Sequence, residues 1–385
     1  VIATFPHMGN MYIAIKEVFR GLKLEMVSPP PVSKRTLELG VKYSPEFACL
    51  PLKINVGNFI EAMEKGADTI VMGGGWGPCR FGYFAQVERE ILKDLGYNFT
   101  MVVLEAPDSR LSDLLRQLRA LGENVSLNQA YRALKFAWDK LKALEVLEKT
   151  LEFCLPRAID KALVEKHFEE GLHAIDGIHD PKDLEDATLR ADQAMRGVPY
   201  SDEPVLKIGL VGEIYTILEP ATNCHIARHL GRINAEVTRS VYLSDWVNDH
   251  ILGGWVKKSN HKYILESSRP FLNYAVGGHG RETVGCSVDF ARRGYDGIIQ
   301  IGPLTCMPEI VAQSVMGRVS RELRIPCMTL YFDEHSGTAG VYTRLEAFVD
   351  MLARRKRLAG DAAASGPCPS RTVGNKAAIK LNMKG

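Results

Sequence analysis

Residues 296–309, DGIIQIGPLTCMPE, decide how the chain is read. The run at 297–301 is short, apolar and β-branched, which predicts a buried strand; Pro303 and Pro308 then interrupt it, and residues 309–323 have helical spacing. Cys306 is therefore expected in the turn between a strand's carboxyl end and a helix's amino end. There the partial positive charge of the helix terminus and its free N–H groups favour a thiolate, the metal-binding form of the side chain. In open α/β sheets that edge is also where ligands bind.

The same alternation extends to both ends of the chain. Residues 1–106 give the strand VIATF, a helix to Leu22, a strand near 24–27, a helix capped by Ser33 and ended by Gly40, and a further helix closing at Gly66. A strand at 68–72, the turn GGGWGPCRFG, a helix at 83–95 and a strand at 97–104 follow. Cys49 falls just before one of these helices and Cys79 lies in the glycine-rich turn, so both are expected at strand-to-helix turns on the binding edge, like Cys306. Residues 107–200 carry the 3.6-residue period without strand signals and read as a helical connector whose plain use is packing between domains. Residues 201–357 return to α/β: LKIGLVGEIY as strand and turn, PATNCHIARHLGRI as turn and helix, EVTRSVYL as strand, VGGHGRETVGCSVDFARRG as turn and helix, then the Cys306 segment, CMTLYF, the turn DEHSGTAG and a last helix. Residues 358–385, rich in Ala, Ser, Gly and Lys, are expected to be a disordered tail. The fold class is thus α/β, with two doubly wound parallel-sheet domains joined by a helical connector.

Composition narrows the function. A chain of 385 residues exceeds one hydrophobic core, and a net charge of +2 without a basic stripe argues against nucleic acid. No apolar run approaches the roughly 18 residues of a membrane span. The chain opens directly on VIATF with no leader pattern, so a cytoplasmic protein is expected. Eight cysteines in a reducing compartment serve burial, metal binding or redox chemistry rather than a disulfide scaffold.

Cys49, Cys79 and Cys306 each have a proline within two residues, and none belongs to a CxxC. Singly, each reads as a buried structural thiol; together, at similar turns, they suit ligands converging on a cleft. Three thiolates leave one metal position open, as a catalytic cluster needs, whereas an electron carrier usually has four. Cys224 is a candidate fourth ligand, or Asn223 beside it is simply a helix cap. Cys286 and Cys327 read as core, and Cys154 and Cys368 have no expected cluster role. The glycine-rich turns, with Gly77 and Pro78 in the first and Gly278 in the second, lack the Lys-Ser/Thr ending of a phosphate loop. They either let backbone N–H groups approach an anionic group such as cluster sulfide, or are only tight turns. Arg80 either offsets cluster charge or is solvated; Glu334 and His335 either do acid-base work or hold a domain contact.

GPCRFG, GYDGIIQIGPLTCMPEIVAQS and IPCMTLYFDEHSGTAGVYTRLEAFVDML resemble the D-component of 2-hydroxyacyl-CoA dehydratases, most closely the activase-related proteins of that superfamily. The resemblance runs from about Val1 to Leu358. It implies two flavodoxin-like domains with a helical part and a cysteine-ligated iron-sulfur cluster in the cleft, either 4Fe-4S or a double-cubane 8Fe-9S cluster, with Cys49, Cys79 and Cys306 at the ligand positions. It further implies low-potential reductive chemistry fed by an ATP-hydrolysing activase, which must be a separate protein because this chain has no ATP-binding loop. In the dehydratase version the injected electron makes a ketyl radical of an acyl-CoA thioester. The other readings are a double-cubane reductase of a small molecule, with Cys224 as the next thiol, and a non-catalytic electron carrier. A homologous subunit or a second copy of the chain is the expected assembly partner, and a structural zinc site is the remaining metal reading.

Overall fold

The structure, a computed structural model, describes residues 1–75, 79–104, 125–250 and 258–364, with side chains to residue 358. Short apolar runs build two sheets. β1 (Ile2–Thr4), β2 (Glu25–Met26), β3 (Thr69–Gly73) and β4 (Thr100–Leu104) lie in the order β2-β1-β3-β4; β5 (Leu206–Gly212), β6 (Ala235–Arg239), β7 (Gly297–Pro303) and β8 (Cys327–Phe332) lie in the order β6-β5-β7-β8. All their pairings are parallel. Counted from each half's first strand the two orders are identical, the order of flavodoxin-like sheets, so β3 and β7 are equivalent strands. Parallel sheets are covered on both faces, which is why β7 is buried along its whole length.

Helices α1 (Met11–Gly21), α2 (Lys34–Tyr43), α3 (Leu50–Glu64) and α4 (Phe84–Asp94) accompany the first sheet. The expected connector contains α5 (Leu127–Cys154), α6 (Lys161–Gly177) and α7 (Pro181–Arg196). Leu144, Leu147, Phe168, Ile175 and Met195 form its apolar core, which also takes in Ile13 of α1. The fully buried Lys140 is matched there by Glu17 Oε1 at 3.0 Å and by the Asp176 carbonyl at 3.2 Å. Around the second sheet run α8 (Ile214–Leu218), α9 (Ile226–Arg232), α10 (Leu243–His250), α11 (His261–Ser268), α12 (Gly280–Arg292), α13 (Met307–Leu323) and α14 (Thr338–Ala364). Among the described residues no helix is long and apolar enough to cross a membrane.

α3 is the structural centre. Residues 50–63 are all buried, because one side packs on the first sheet through Leu52, Val56, Phe59 and Ile60 while Leu50 and Ile54 enter the core of the second. A helix enclosed on every side has to find partners for its polar groups, and several come from different directions. Lys53 Nζ meets Glu334 Oε1 at 2.5 Å, Asn58 Nδ2 donates to the Pro30 carbonyl at 3.1 Å, and Glu61 Oε2 accepts from Thr36 Oγ1 at 2.5 Å.

Some local expectations change. Ser33 does cap α2, in a capping box with Thr36, but Gly40 does not end it. A Cβ there would stand 1.9 Å from the Lys53 carbonyl oxygen, so Gly40 is the contact point that lets α2 and α3 touch backbone to backbone. The expected strand EVTRSVYL stops at Arg239, and Leu243 already begins α10. The last helix continues past Leu358 to Ala364, overrunning the start expected for the tail; residues 365–385 lie outside the described residues.

Two predictions follow from this packing. Ala at position 40 should separate α2 from α3 and destabilise the fold by about 1–3 kcal/mol, read as a lower midpoint in urea. Glu88, fully buried, is pushed up from its ordinary 4.5 to about 8 by burial, partly offset by the Asn55 amide that donates to it at 3.2 Å. The unfolded chain ionises above about 4.5 and the folded one only near 8, so this group's contribution is complete below the lower value and is lost as pH rises through the upper one. Glu88→Gln should therefore be nearly neutral at pH 4.5 and stabilising by a few kcal/mol, about, at pH 9; thermal unfolding at the two pH values checks it.

Candidate functional site

Three helix starts meet where the carboxyl edges of the two sheets face each other. Cys79 follows β3 and is the N-cap of the 3-10 turn Arg80–Tyr83; Cys306 follows the equivalent strand β7 and is the N-cap of α13. Cys49 is the N-cap of α3, but it lies between two helices rather than at a strand end, contrary to expectation. It reaches the same edge because α3 leads into β3: a helix that returns the chain to a parallel sheet begins at the carboxyl edge.

One guanidinium ties the three turns together. Arg80 Nη1 donates to the Phe47 carbonyl at 2.9 Å, while Nη2 donates to the Thr305 carbonyl at 2.6 Å and to Thr305 Oγ1 at 2.9 Å. Phe47 stands two residues before Cys49, Thr305 directly before Cys306, and Arg80 directly after Cys79. Neither of the two uses expected for Arg80 describes this mechanical role. Thr305 holds a left-handed backbone, φ +69°, a conformation that a β-branched residue adopts only at a cost of about 1–3 kcal/mol, and two of the Arg80 bonds end on that residue.

The electrostatics oppose the expected thiolates. Burial raises all three thiols, taking Cys49 to about 11, and the Glu213 carboxylate raises each further. Arg80 acts in the opposite sense on Cys49 and Cys79, and the charge of Cys79 is felt by both Cys49 and Cys306. Burial thus outweighs the helix ends, and the unligated thiols keep their protons at neutral pH. Glu213 caps α8, accepting from the backbone N–H groups of Tyr215 at 3.0 Å and Thr216 at 2.8 Å. It was not singled out from sequence, although an acid directly after the strand LKIGLVG was the available signal.

Glu309, on the first turn of α13, was also missed. Its carboxylate is fully buried, accepts from Thr283 Oγ1 at 2.9 Å and Gln300 Nε2 at 2.9 Å, and is pushed up by burial to about 7. The buried Tyr331 hydroxyl has no hydrogen-bond partner among the described residues; burial raises its pKa, and the charges of Glu309 and Cys306 add to that. Gly278 closes the opposite wall, where an added Cβ would stand 3.0 Å from Pro308 Cγ and 4.0 Å from Cys79 Sγ. Gly77 and Pro78 lie outside the described residues.

The remaining candidates sit apart. Glu334 holds a domain contact through Lys53, and the His335 amide donates to Asp333 Oδ1 at 3.0 Å within the turn. Cys224 has a left-handed backbone and packs against the core of the second sheet; the N-cap of α9 is His225, not Asn223, although Asn223 Oδ1 accepts from the Ile226 amide at 3.2 Å. Cys286 lies buried in α12 and Cys327 opens β8; Cys154 is buried at the end of α5 beside the Tyr200 hydroxyl at 3.3 Å, and Cys368 lies outside the described residues. A cavity lined by Met8, Met11, Leu144, Glu145, Leu218 and Arg239 lies at the connector, with none of the three cysteines in its wall.

The thiols of Cys49, Cys79 and Cys306 do not all lie within 4.8 Å of one another. A single tetrahedral zinc would hold its sulfurs about 3.8 Å apart, given Zn–S bonds of about 2.3 Å. The three sulfurs as they stand therefore do not form the shell of a single ion, although soft thiol donors and the bare Gly278 beside Cys79 are compatible with a larger sulfur-bridged group.

No curated protein matches the chain. A family profile described as "CoA enzyme activase uncharacterised domain (DUF2229)" matches residues 2–241, which include Cys49, Cys79, Arg80, the connector, Glu213 and Cys224 but stop short of Cys306. Because that match spans more than half of the 385 residues, the chain belongs to the CoA enzyme activase uncharacterised domain family.

Proposed function

We propose that Cys49, Cys79 and Cys306 ligate an iron-sulfur cluster, and that the protein is the cluster-bearing component of a CoA-linked enzyme system, of the D-component type, to which a separate ATP-hydrolysing activase delivers electrons. The observation that carries this reading is the Arg80 tie, which joins the turns of three cysteines far apart in sequence at one crevice. Membership of a CoA enzyme activase family supports the kind of system. A cluster held there supplies low-potential one-electron transfer and Lewis acidity.

The chain's own residues supply the rest. The three thiols must lose protons to bind metal, and their raised pKa values mean that only a strongly thiophilic cation displaces those protons. Arg80 adds the compensating positive charge while fixing the turns. Glu309, with its carboxyl near neutrality, holds a proton one helical turn from Cys306, and Tyr331 is a second protic group close enough to feel the charge of that thiol. Both suit a reaction that takes up or releases a proton beside an acyl-CoA thioester.

Purification without oxygen should give a brown protein with about four irons per chain for one cubane. About eight would favour the double-cubane reading, and a folded protein with neither iron nor sulfide would sink both. Cys306→Ala should lose the iron while Cys368→Ala retains it; equal iron in the two variants would refute the ligand assignment. Arg80→Lys, a single donor group that cannot span both carbonyls, should lower iron retention several-fold with the circular dichroism unchanged. Undiminished iron would show that the tie does not hold the ligands in place.

A further inference from the structure

We infer that His250, His261 and Glu282 form a site for one divalent transition-metal ion of the zinc class, separate from the three cysteines. One ligand atom from each lies within 4.8 Å of the others. The residues come from three elements: His250 ends α10, His261 begins α11, and Glu282 lies in the first turn of α12. Two imidazoles and a carboxylate are the donor set of many zinc and non-haem iron(II) sites.

The orientation of the donors fits a metal. His250 Nδ1 lies 3.0 Å from the Trp246 carbonyl, so Nδ1–H is the donor in that bond. This is the outer hydrogen bond that metal-ligating histidines make, and Trp246 also stacks on the ring, with centroids 5.0 Å apart. His261 Nε2 is 3.1 Å from Glu282 Oε1, and the rings of His250 and His261 are 5.0 Å apart. A second, independent feature points the same way. The buried Nε2 of His279, which directly precedes α12, has no hydrogen-bond partner among the described residues, and the charges of Glu282, His250 and His261 all act on that ring. His279 is not among the groups whose ligand atoms lie within 4.8 Å of one another, so its unmatched nitrogen suits an outer bond to a metal-held water rather than direct ligation.

The location gives the ion a task. It would pin α10 and α11 to the start of α12, and the residue before His279 is Gly278, the wall beside Cys79. The site stands whether or not the cysteines hold iron, and the two metals are told apart by elemental analysis.

The test is equilibrium dialysis of the full-length protein against zinc, with zinc and iron measured separately, in the wild type and in Glu282→Gln, His261→Ala and Cys306→Ala variants. Gln can still accept a hydrogen bond from His261, so Glu282→Gln keeps the packing while removing the anionic ligand. About one zinc per chain is expected in the wild type and in Cys306→Ala, with affinity at least ten-fold weaker, about, in Glu282→Gln and His261→Ala. Cobalt substitution should give weak ligand-field bands without intense thiolate-to-metal absorption. Zinc absent from the wild type, equally bound by Glu282→Gln, or lost with Cys306→Ala would overturn the assignment.

Discussion

The Arg80 guanidinium joins the turns that carry the three cysteines. A planar fork with donors in fixed directions can span two carbonyls on different segments, which a flexible ammonium cannot do. Here the fork joins the Phe47 and Thr305 carbonyls, and the residue that carries it neighbours Cys79. The carbonyls accept charge-assisted hydrogen bonds, among the stronger kinds available to a backbone oxygen. The tie also explains how Thr305 is held in a left-handed conformation, since two of the three bonds end on it.

Around that tie the protein has placed acids rather than further bases. Glu213 and Glu309 both act on Cys306, and burial leaves Glu309 near neutrality, whereas Glu282, at the separate histidine cluster, is raised by burial but held below its ordinary value by His261 and His279. An acidic, buried setting disfavours thiolates in the bare protein and leaves cations as the means of stabilising them. The proposals for iron at the cysteines and zinc at the histidines draw on this same surplus of acidic and protonated donors.

Much of the fold was legible because parallel sheets write themselves as apolar β-branched runs between turn residues. CMTLYF and the Cys306 segment give their strands to the residue or nearly so, and the repeated placement of Cys79 and Cys306 follows from β3 and β7 being equivalent strands. What failed was governed by tertiary contact. Gly40 carries a helix-stop signal, yet its role is set by the α3 backbone pressing against it. SVYL has strand propensity, but the chain turns into α10 instead. Arg80 and Glu213 act on residues hundreds of positions away or through a single cap, and His250, His261 and Glu282 are brought together by helix packing that no local pattern encodes.

The enclosure of α3 has a further consequence. Because Leu50 and Ile54 belong to one core and Val56 and Phe59 to the other, the same helix is a wall of both halves. Two lobes that share a wall cannot swing apart like a clamshell without stripping apolar surface from that helix, at roughly 25 cal/mol for each Å² uncovered. The angle between the two halves is therefore held by the same apolar contacts that keep each half folded.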